Sequence, residues 1–209
     1  MQYNFIVIEG NIGVGKTTLA TMLAKDYNTR LILEEFEENP FLPKFYKDPN
    51  KYAFPLELFF MAERYHQLKK EKEHDLFQPI TITDYFFMKS KLFAKNNLKN
   101  DEQQLFESLF NIMYSSLPKP DILVYLYADV IRLKDNIKKR GRGFEQSITS
   151  DYLQNIQEIY LDYLRKQDSF PVLVFDISCV DFKKDENIYK KIYLSLDKNY
   201  TAGLHNFKL

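Results

Sequence analysis

The chain has 209 residues, with 29 Lys and Arg against 29 Asp and Glu, a formal net charge of zero and 45% hydrophobic residues. This composition suits one soluble domain with a full core and gives no electrostatic reason to bind nucleic acid or an anionic membrane, so the expected partners are small molecules. A single cysteine, Cys179, excludes an internal disulfide framework, no apolar run reaches the length of a membrane span, and no signal-peptide pattern precedes the first strand; a reducing, cytoplasmic setting is expected.

The first predicted element is a strand over Asn4 to Glu9, and it runs directly into Gly10-Asn11-Ile12-Gly13-Val14-Gly15-Lys16-Thr17-Thr18. This is the G-x-x-x-x-G-K-[ST] phosphate-binding loop in its required setting, between a strand and a helix expected from Lys16 to Asp26. The glycines let the backbone turn tightly and lie against phosphates, Lys16 can reach the β and γ oxygens, and the Thr17 hydroxyl can hold Mg²⁺. The chain therefore reads as a user of nucleoside triphosphates. A second strand over Arg30 to Leu33 is followed by the acidic run Glu34-Glu35-Phe36-Glu37-Glu38-Asn39-Pro40. A long helix is predicted from Pro55 to Glu73, with Pro55 in its first turn, then a strand over Pro79 to Thr83 ending at Asp84-Tyr85. Helices follow at Tyr85 to Asn96 and Asp101 to Leu117, then a strand over Ile122 to Tyr127 and a helix over Asp129 to Arg140. That helix ends in the basic turn Lys138-Lys139-Arg140-Gly141-Arg142-Gly143. The remaining elements are a helix over Asp151 to Asp168, a strand over Val172 to Asp176 and a helix over Asn187 to Leu196, while Asn199 to Leu209 has no clear pattern and reads as a loose tail. Strands alternating with helices predict an α/β fold of three layers: a five-stranded parallel sheet between helices, in a single domain over residues 1–198.

In such sheets ligands gather beyond the carboxyl ends of the strands, which makes the residues just after each strand the candidates for chemistry. Glu34, near a bound γ-phosphate, could take a proton from an attacking hydroxyl. Asp84 could coordinate Mg²⁺ or cap a helix beginning at Tyr85. Arg140 and Arg142 could close over a triphosphate as lid cations, or favour the carbonyl end of their helix, the role assigned to Lys138 and Lys139.

Taken together, the phosphate loop, Glu34 with Asn39-Pro40-Phe41-Leu42 and Phe45-Tyr46, and Arg140-Gly141-Arg142 with Glu145-Gln146 and Asp151-Tyr152-Leu153 resemble the deoxynucleoside kinase family in a consistent order from Tyr3 to Asp176. The resemblance implies a P-loop kinase fold with an arginine-bearing lid, ATP and Mg²⁺ as cofactors, and phosphoryl transfer to the 5′-hydroxyl of a deoxynucleoside in nucleotide salvage by a homodimer. By motif position it makes Glu34 the general base and the segment around Arg140 a lid, beside which Lys16, Arg140 and Arg142 are the expected catalytic cations and Thr17 and Asp84 the expected metal ligands. Tyr46 and Glu145 match residues that bind the sugar 3′-hydroxyl, Arg64 a base-side arginine, and Phe93 an aromatic that stacks on the base.

The chain departs from the family pattern at four places. Glu35 stands where members often have proline; Asp84-Tyr85-Phe86 replaces an acidic residue followed by Arg and Ser or Thr; Glu57 replaces a base-reading glutamine; Lys89 stands where an aspartate is usual. Loss of an arginine that stabilises charge in transit can lower a rate on the order of 10³-fold, and Lys89 or Lys91 could supply the missing charge. Two alternatives stay open from sequence: the same fold acting on another small hydroxyl acceptor, and a nucleotide-binding relative without turnover.

Overall fold

The computed structural model describes residues 2–35, 39–72 and 80–209, the side chains of 70–72 apart. Phe36, Glu37 and Glu38 of the acidic run, Glu73 at the expected end of the long helix and Pro79 at the expected start of the third strand lie outside the described residues. The elements follow one another as β1 (Phe5–Gly10), α1 (Lys16–Tyr27), β2 (Arg30–Ile32), α2 (Leu42–Phe45), α3 (Pro49–Lys72), β3 (Thr81–Thr83), α4 (Met88–Asn97) and α5 (Asn100–Tyr114). Then come β4 (Ile122–Tyr127), α6 (Val130–Arg140), α7 (Ser150–Arg165), β5 (Pro171–Asp176), α8 (Glu186–Ser195) and β6 (Gly203–Lys208).

All strands are parallel, in the order β2-β3-β1-β4-β5-β6. The chain leaves β1 toward β2 on one side and leaves β3 toward β4 on the other, so β1 and β3 flank the point where the winding reverses. That crevice is where an open parallel sheet accepts ligands, and the phosphate loop after β1 and Asp84 after β3 both lie on it.

Period-two alternation sorts the central strand residues between two cores. Ile6 and Ile8 pack with Leu19, Leu23, Val124 and Leu126 on the α1 side, while Val7 packs with Leu123, Tyr125, Ile156 and Tyr160 on the α7 side. A third cluster, formed by Met61, Phe87, Phe106 and Phe110 among others, joins α3, α4 and α5. Much of the aromatic content goes here: the Phe87 ring stacks on Phe110 at 5.1 Å between centroids and on Tyr114 at 6.2 Å. Helix starts follow local chemistry, with Asp129, Thr149 and Asp185 side chains accepting backbone N–H bonds at the heads of α6, α7 and α8.

Three expectations are corrected. The sheet has six strands rather than five, because Gly203–Lys208 pairs along the whole of β5 where a loose tail over Asn199 to Leu209 was expected. This edge strand alternates half-buried Gly203, His205 and Phe207 with exposed Leu204, Asn206 and Lys208, so its apolar residues fall on both faces and leave no clean pattern in sequence. The long helix begins at Pro49, placing Pro55 inside it rather than in its first turn. Pro49 now holds the position where a missing N–H does no harm. The helix after the third strand begins at Met88, so Asp84 is not its cap.

The Phe207 ring stacks on Phe175 at 4.9 Å and contacts Tyr200. Phe207→Ala is therefore expected to lower the unfolding free energy by about 2 kcal/mol, below the range for a fully buried Phe because this ring is half-buried. Urea denaturation measures it, and an unchanged midpoint would show that β6 adds nothing to the sheet's stability.

Candidate active site

The phosphate loop is built by packing as much as by its ligand chemistry. Gly10, at φ +149, has no room for a side chain: a Cβ would lie 2.5 Å from the Leu126 carbonyl oxygen and 2.8 Å from Val14. At Gly13, φ +82, a Cβ would meet Ile137 at 2.8 Å. These glycines are thus demanded by the protein's own neighbouring atoms, a reason beyond the approach of phosphates expected from sequence. The side chains of Asn11 and Val14 turn inward. Asn11 donates to the Leu153 carbonyl at 2.8 Å and accepts from the Ile12 N–H at 2.8 Å, tying the loop to α7. Ile12, Gly13, Gly15, Lys16, Thr17 and Thr18 line open space.

Lys16 curls over its own loop and donates to the carbonyls of Gly10 and Asn11, both at 3.0 Å. Burial, with Lys89 nearby, lowers its pKa to about 8 despite the opposing charges of Glu9, Glu34 and Asp84. Glu9, the penultimate residue of β1, was read from sequence only as part of a strand. It is buried and accepts from the Gly10 N–H at 3.0 Å, the Phe86 N–H at 2.8 Å and the Tyr160 hydroxyl at 3.1 Å, bracing the first and third strand ends from beneath. Burial pushes its carboxyl up, opposed by Lys89, Lys16 and the backbone donors. A carboxylate within an otherwise apolar parallel strand was the available signal.

Asp84 and Glu34 meet at the crevice. One Asp84 oxygen accepts from the Thr17 hydroxyl at 2.5 Å and the other from the Glu34 N–H at 2.7 Å. Glu34 in turn is clasped by Arg64, whose Nε and Nη2 donate at 2.8 and 2.6 Å, and by Lys89, whose ammonium donates at 2.5 Å. Burial works against its charge, but Lys89 and Arg64 prevail and hold the carboxyl down at about 2. Tyr85, at the position of the missing arginine, is fully buried in the aromatic cluster, and its hydroxyl has no hydrogen-bond partner among the described residues. The cation facing Glu34 from this segment is Lys89, one of the two lysines considered from sequence; the other, Lys91, lies over the Phe110 ring at 5.7 Å.

The predicted lid residues straddle the end of α6: Arg140 is its last residue, Gly141 caps it in the left-handed conformation, φ 74, and Arg142 follows. Arg140 donates to one oxygen of Glu145, and Arg142 approaches the other at 3.4 Å, so a 3-10 turn over Gly143–Ser147 carries a carboxylate bracketed by both arginines. The Tyr46 ring stacks on Phe144 at 6.2 Å within this group, and burial beside the Glu145 charge raises its phenol.

Two adjoining cavities converge here. The inner one is lined by Tyr46, Glu57, Arg64, Phe93 and Glu145, which brings together all five residues expected to bind the acceptor, by Lys89, considered from sequence as a substitute cation, and by Phe45, Phe60 and Tyr152, which sequence did not include in the site. The outer one is lined by Gly13 to Thr18, Arg132, Asn136 and Lys139 together with Ile177 and the residues from Val180 to Lys183. Both share Gly13, Lys16, Thr17, Glu34, Asp84, Arg140 and Arg142. Oxygen donors at Thr17 and Asp84 suit a hard divalent cation. Among the described residues no group of three or more His, Cys, Asp or Glu is placed to hold a metal ion.

This junction of a phosphate cradle, a carboxylate and converging cations defines a phosphotransferase of the P-loop class. The sequence profile described as deoxynucleoside kinase matches residues 6–200, and the chain belongs to the deoxynucleoside kinase family. It is 37% identical to the deoxyguanosine kinase of Bacillus subtilis (strain 168), covering 90% of this chain and 93% of that protein. It is 31% identical to the deoxyadenosine/deoxycytidine kinase of the same organism, covering 90% and 89%. Its fold matches the structure of deoxyadenosine kinase from M. mycoides with bound dATP at a TM-score of 0.78 and 26% identity, over 92% of this chain and 98% of that one. The chain is accordingly a kinase that phosphorylates deoxynucleosides, a transferase with an alcohol acceptor; these findings do not favour an unrelated acceptor or a relative without turnover.

A phosphate bound at this loop would favour Lys16 in its charged form, and with the pKa lowered to about 8 that charge is shed from the free protein in the range around pH 8. Binding ATP at pH 8 should therefore take up about half a proton, and affinity should be level below that pH and fall by up to about tenfold per unit above it. Calorimetry in buffers of different ionisation enthalpy measures the uptake; equal heats in all buffers would contradict the lowered pKa.

Proposed function

We propose that the γ-phosphoryl group of ATP passes to the 5′-hydroxyl of a deoxynucleoside held in the inner cavity, with the triphosphate in the outer one and the reacting atoms at their shared wall. The observation that carries this reading is that wall itself: Lys16, Thr17, Glu34, Asp84, Arg140 and Arg142 line both cavities. Support for a nucleotide donor comes from the M. mycoides structures with dATP and dCTP bound.

Glu34 is the proton acceptor for the 5′-hydroxyl. With its carboxyl held near 2 it is fully ionised at neutral pH, and so weak a base is suited to orient the hydroxyl and take its proton late, as a loosely bonded phosphoryl group arrives. Arg64 and Lys89 fix that carboxylate from two directions, Lys89 providing the cation that Tyr85 does not. Lys16, Arg140 and Arg142 stabilise the charge on the transferring oxygens. Thr17 and Asp84 would hold Mg²⁺, which when bound neutralises phosphate charge and orients the oxygens. Tyr46 and Glu145 receive the sugar 3′-hydroxyl and Phe93 lies against the base. A homodimer and a cytoplasmic location complete the proposal and rest on the family resemblance; no described helix is long and apolar enough to cross a membrane.

Glu34→Gln should lower kcat by about 10²- to 10⁴-fold while the Kd for ATP stays within about twofold. Unchanged turnover in a coupled ADP-release assay would remove Glu34 from the mechanism, and wild-type turnover in Lys16→Ala would remove the phosphate site. Lys89→Met takes a cation away from Glu34, so the Glu34 pKa rises and the acid limb of the pH–kcat/KM profile should move toward neutrality, with kcat lower by about 10²-fold or more. A profile that stays in place would show that Lys89 does not govern the base.

A further inference from the structure

We infer that Glu57 selects the base of the acceptor and that it selects guanine, through two parallel hydrogen bonds from the ring N1–H and the 2-amino group. The inference rests on the deoxynucleoside reading above and concerns one wall of the inner cavity.

Glu57 projects from α3 and is 1% exposed. Its Oε1 accepts from Asn97 Nδ2 at 2.7 Å, while its Oε2 is buried without a hydrogen-bond partner among the described residues. The orientation of the Asn97 amide is set independently, since the same Nδ2 donates to the Tyr152 hydroxyl at 3.2 Å and its Oδ1 accepts from Asn96 at 2.8 Å. Asn97 therefore presents a donor to Glu57, and Glu57 answers as an acceptor. The nearest cations do not complete it: Arg64 and Lys89 bond to Glu34, and Arg64 also to Ser90 at 2.7 Å. A buried carboxylate oxygen left in this state is strongly unfavourable unless a ligand brings it a donor.

Among the four DNA bases, guanine alone places two N–H donors side by side on its pairing edge. Adenine and cytosine offer an amino donor beside a ring-nitrogen acceptor, which would face a lone pair of the carboxylate. Thymine offers one N–H between two carbonyls. A carboxylate takes parallel donors in a two-point contact and rejects an edge that would set acceptor against acceptor. Glutamine at the same position would present one donor and one acceptor, the complement of adenine or cytosine. Burial moves the Glu57 carboxyl up to about 7, with Asn97, Arg64 and Lys89 opposing and Glu34 adding to the rise, while the nearby phenols of Tyr46 and Tyr152 are themselves raised and stay neutral. Above that pH the ionised form, the one that accepts twice, prevails.

The test is kcat/KM at pH 8 for deoxyguanosine, deoxyinosine, deoxyadenosine, deoxycytidine and thymidine, with wild type and Glu57→Gln. Wild type should prefer deoxyguanosine over deoxyadenosine and deoxycytidine by about 10²-fold or more, and deoxyinosine, which keeps N1–H but lacks the 2-amino group, should fall about tenfold below deoxyguanosine. Glu57→Gln should lose about 10²-fold on deoxyguanosine and gain on deoxyadenosine or deoxycytidine. Deoxyinosine used as well as deoxyguanosine by the wild type would overturn the two-point contact without recourse to any variant. Brisk wild-type turnover of another base, or a guanine preference intact in Glu57→Gln, would overturn the inference and leave the kinase reading standing. Silence with every deoxynucleoside, in protein that binds ATP, would overturn both.

Discussion

One carboxylate, that of Asp84, sets the distance between the three loops that make the site. Its two oxygens hold the Thr17 hydroxyl at the head of α1 and the Glu34 N–H just beyond β2, while Asp84 itself follows β3. Parallel strands bring these ends to one edge of the sheet but fix them only as well as the loops are stiff. The Asp84 bonds turn proximity into geometry, and phosphoryl transfer depends chiefly on positioning and fixed charge. Glu9 performs the corresponding service from below, bonding the Gly10 and Phe86 N–H groups.

Above that frame lies an unusual concentration of buried charge. Glu34, Arg64 and Lys89 form an ion triad with little exposure, Lys16 stands close by, and the buried Glu145 carboxylate is met by Arg140 and Arg142 from the more exposed side. Buried ion pairs contribute little net stability, since desolvation offsets most of their attraction, and their presence is better understood through the charge of the reaction they surround. The replacement of an arginine by Tyr85 fits the same account. The tyrosine joins the aromatic core, and Lys89, in the first turn of α4, delivers a positive charge to Glu34. The segment keeps its charge while exchanging which residue bears it.

Features carried by contiguous residues were legible in the sequence: the phosphate loop, Glu34 and Asp84 at strand ends, and the Arg140-Gly141-Arg142 turn all emerge where expected. The five residues expected from sequence to bind the acceptor do line one cavity. What escaped the sequence depends on how α4 packs against α3 and against the loop after β2. Neither the contact of Lys89 with Glu34 nor that of Asn97 with Glu57 has a local signature, because the partners are separated by 55 and 40 positions and meet only through packing. β6 was missed for a different reason: an edge strand with one face half-covered needs no alternation of apolar and polar residue types, and Gly203 to Lys208 has none although its burial alternates.

The phosphate loop also bears on how nucleotide binding and folding divide the work between them. Its glycines are fitted to Leu126 and Ile137, Asn11 is tied to α7, and Lys16 already donates to two carbonyls of the loop. Ordering a flexible segment costs about 1–2 kcal/mol per residue, so a nine-residue loop shaped only on contact would draw on the order of ten kcal/mol from its ligand. Here the conformational entropy is surrendered once, when the chain folds. On the proposed reading an arriving triphosphate would exchange two hydrogen bonds of a single ammonium, and what it gained from the backbone N–H groups would be retained as affinity.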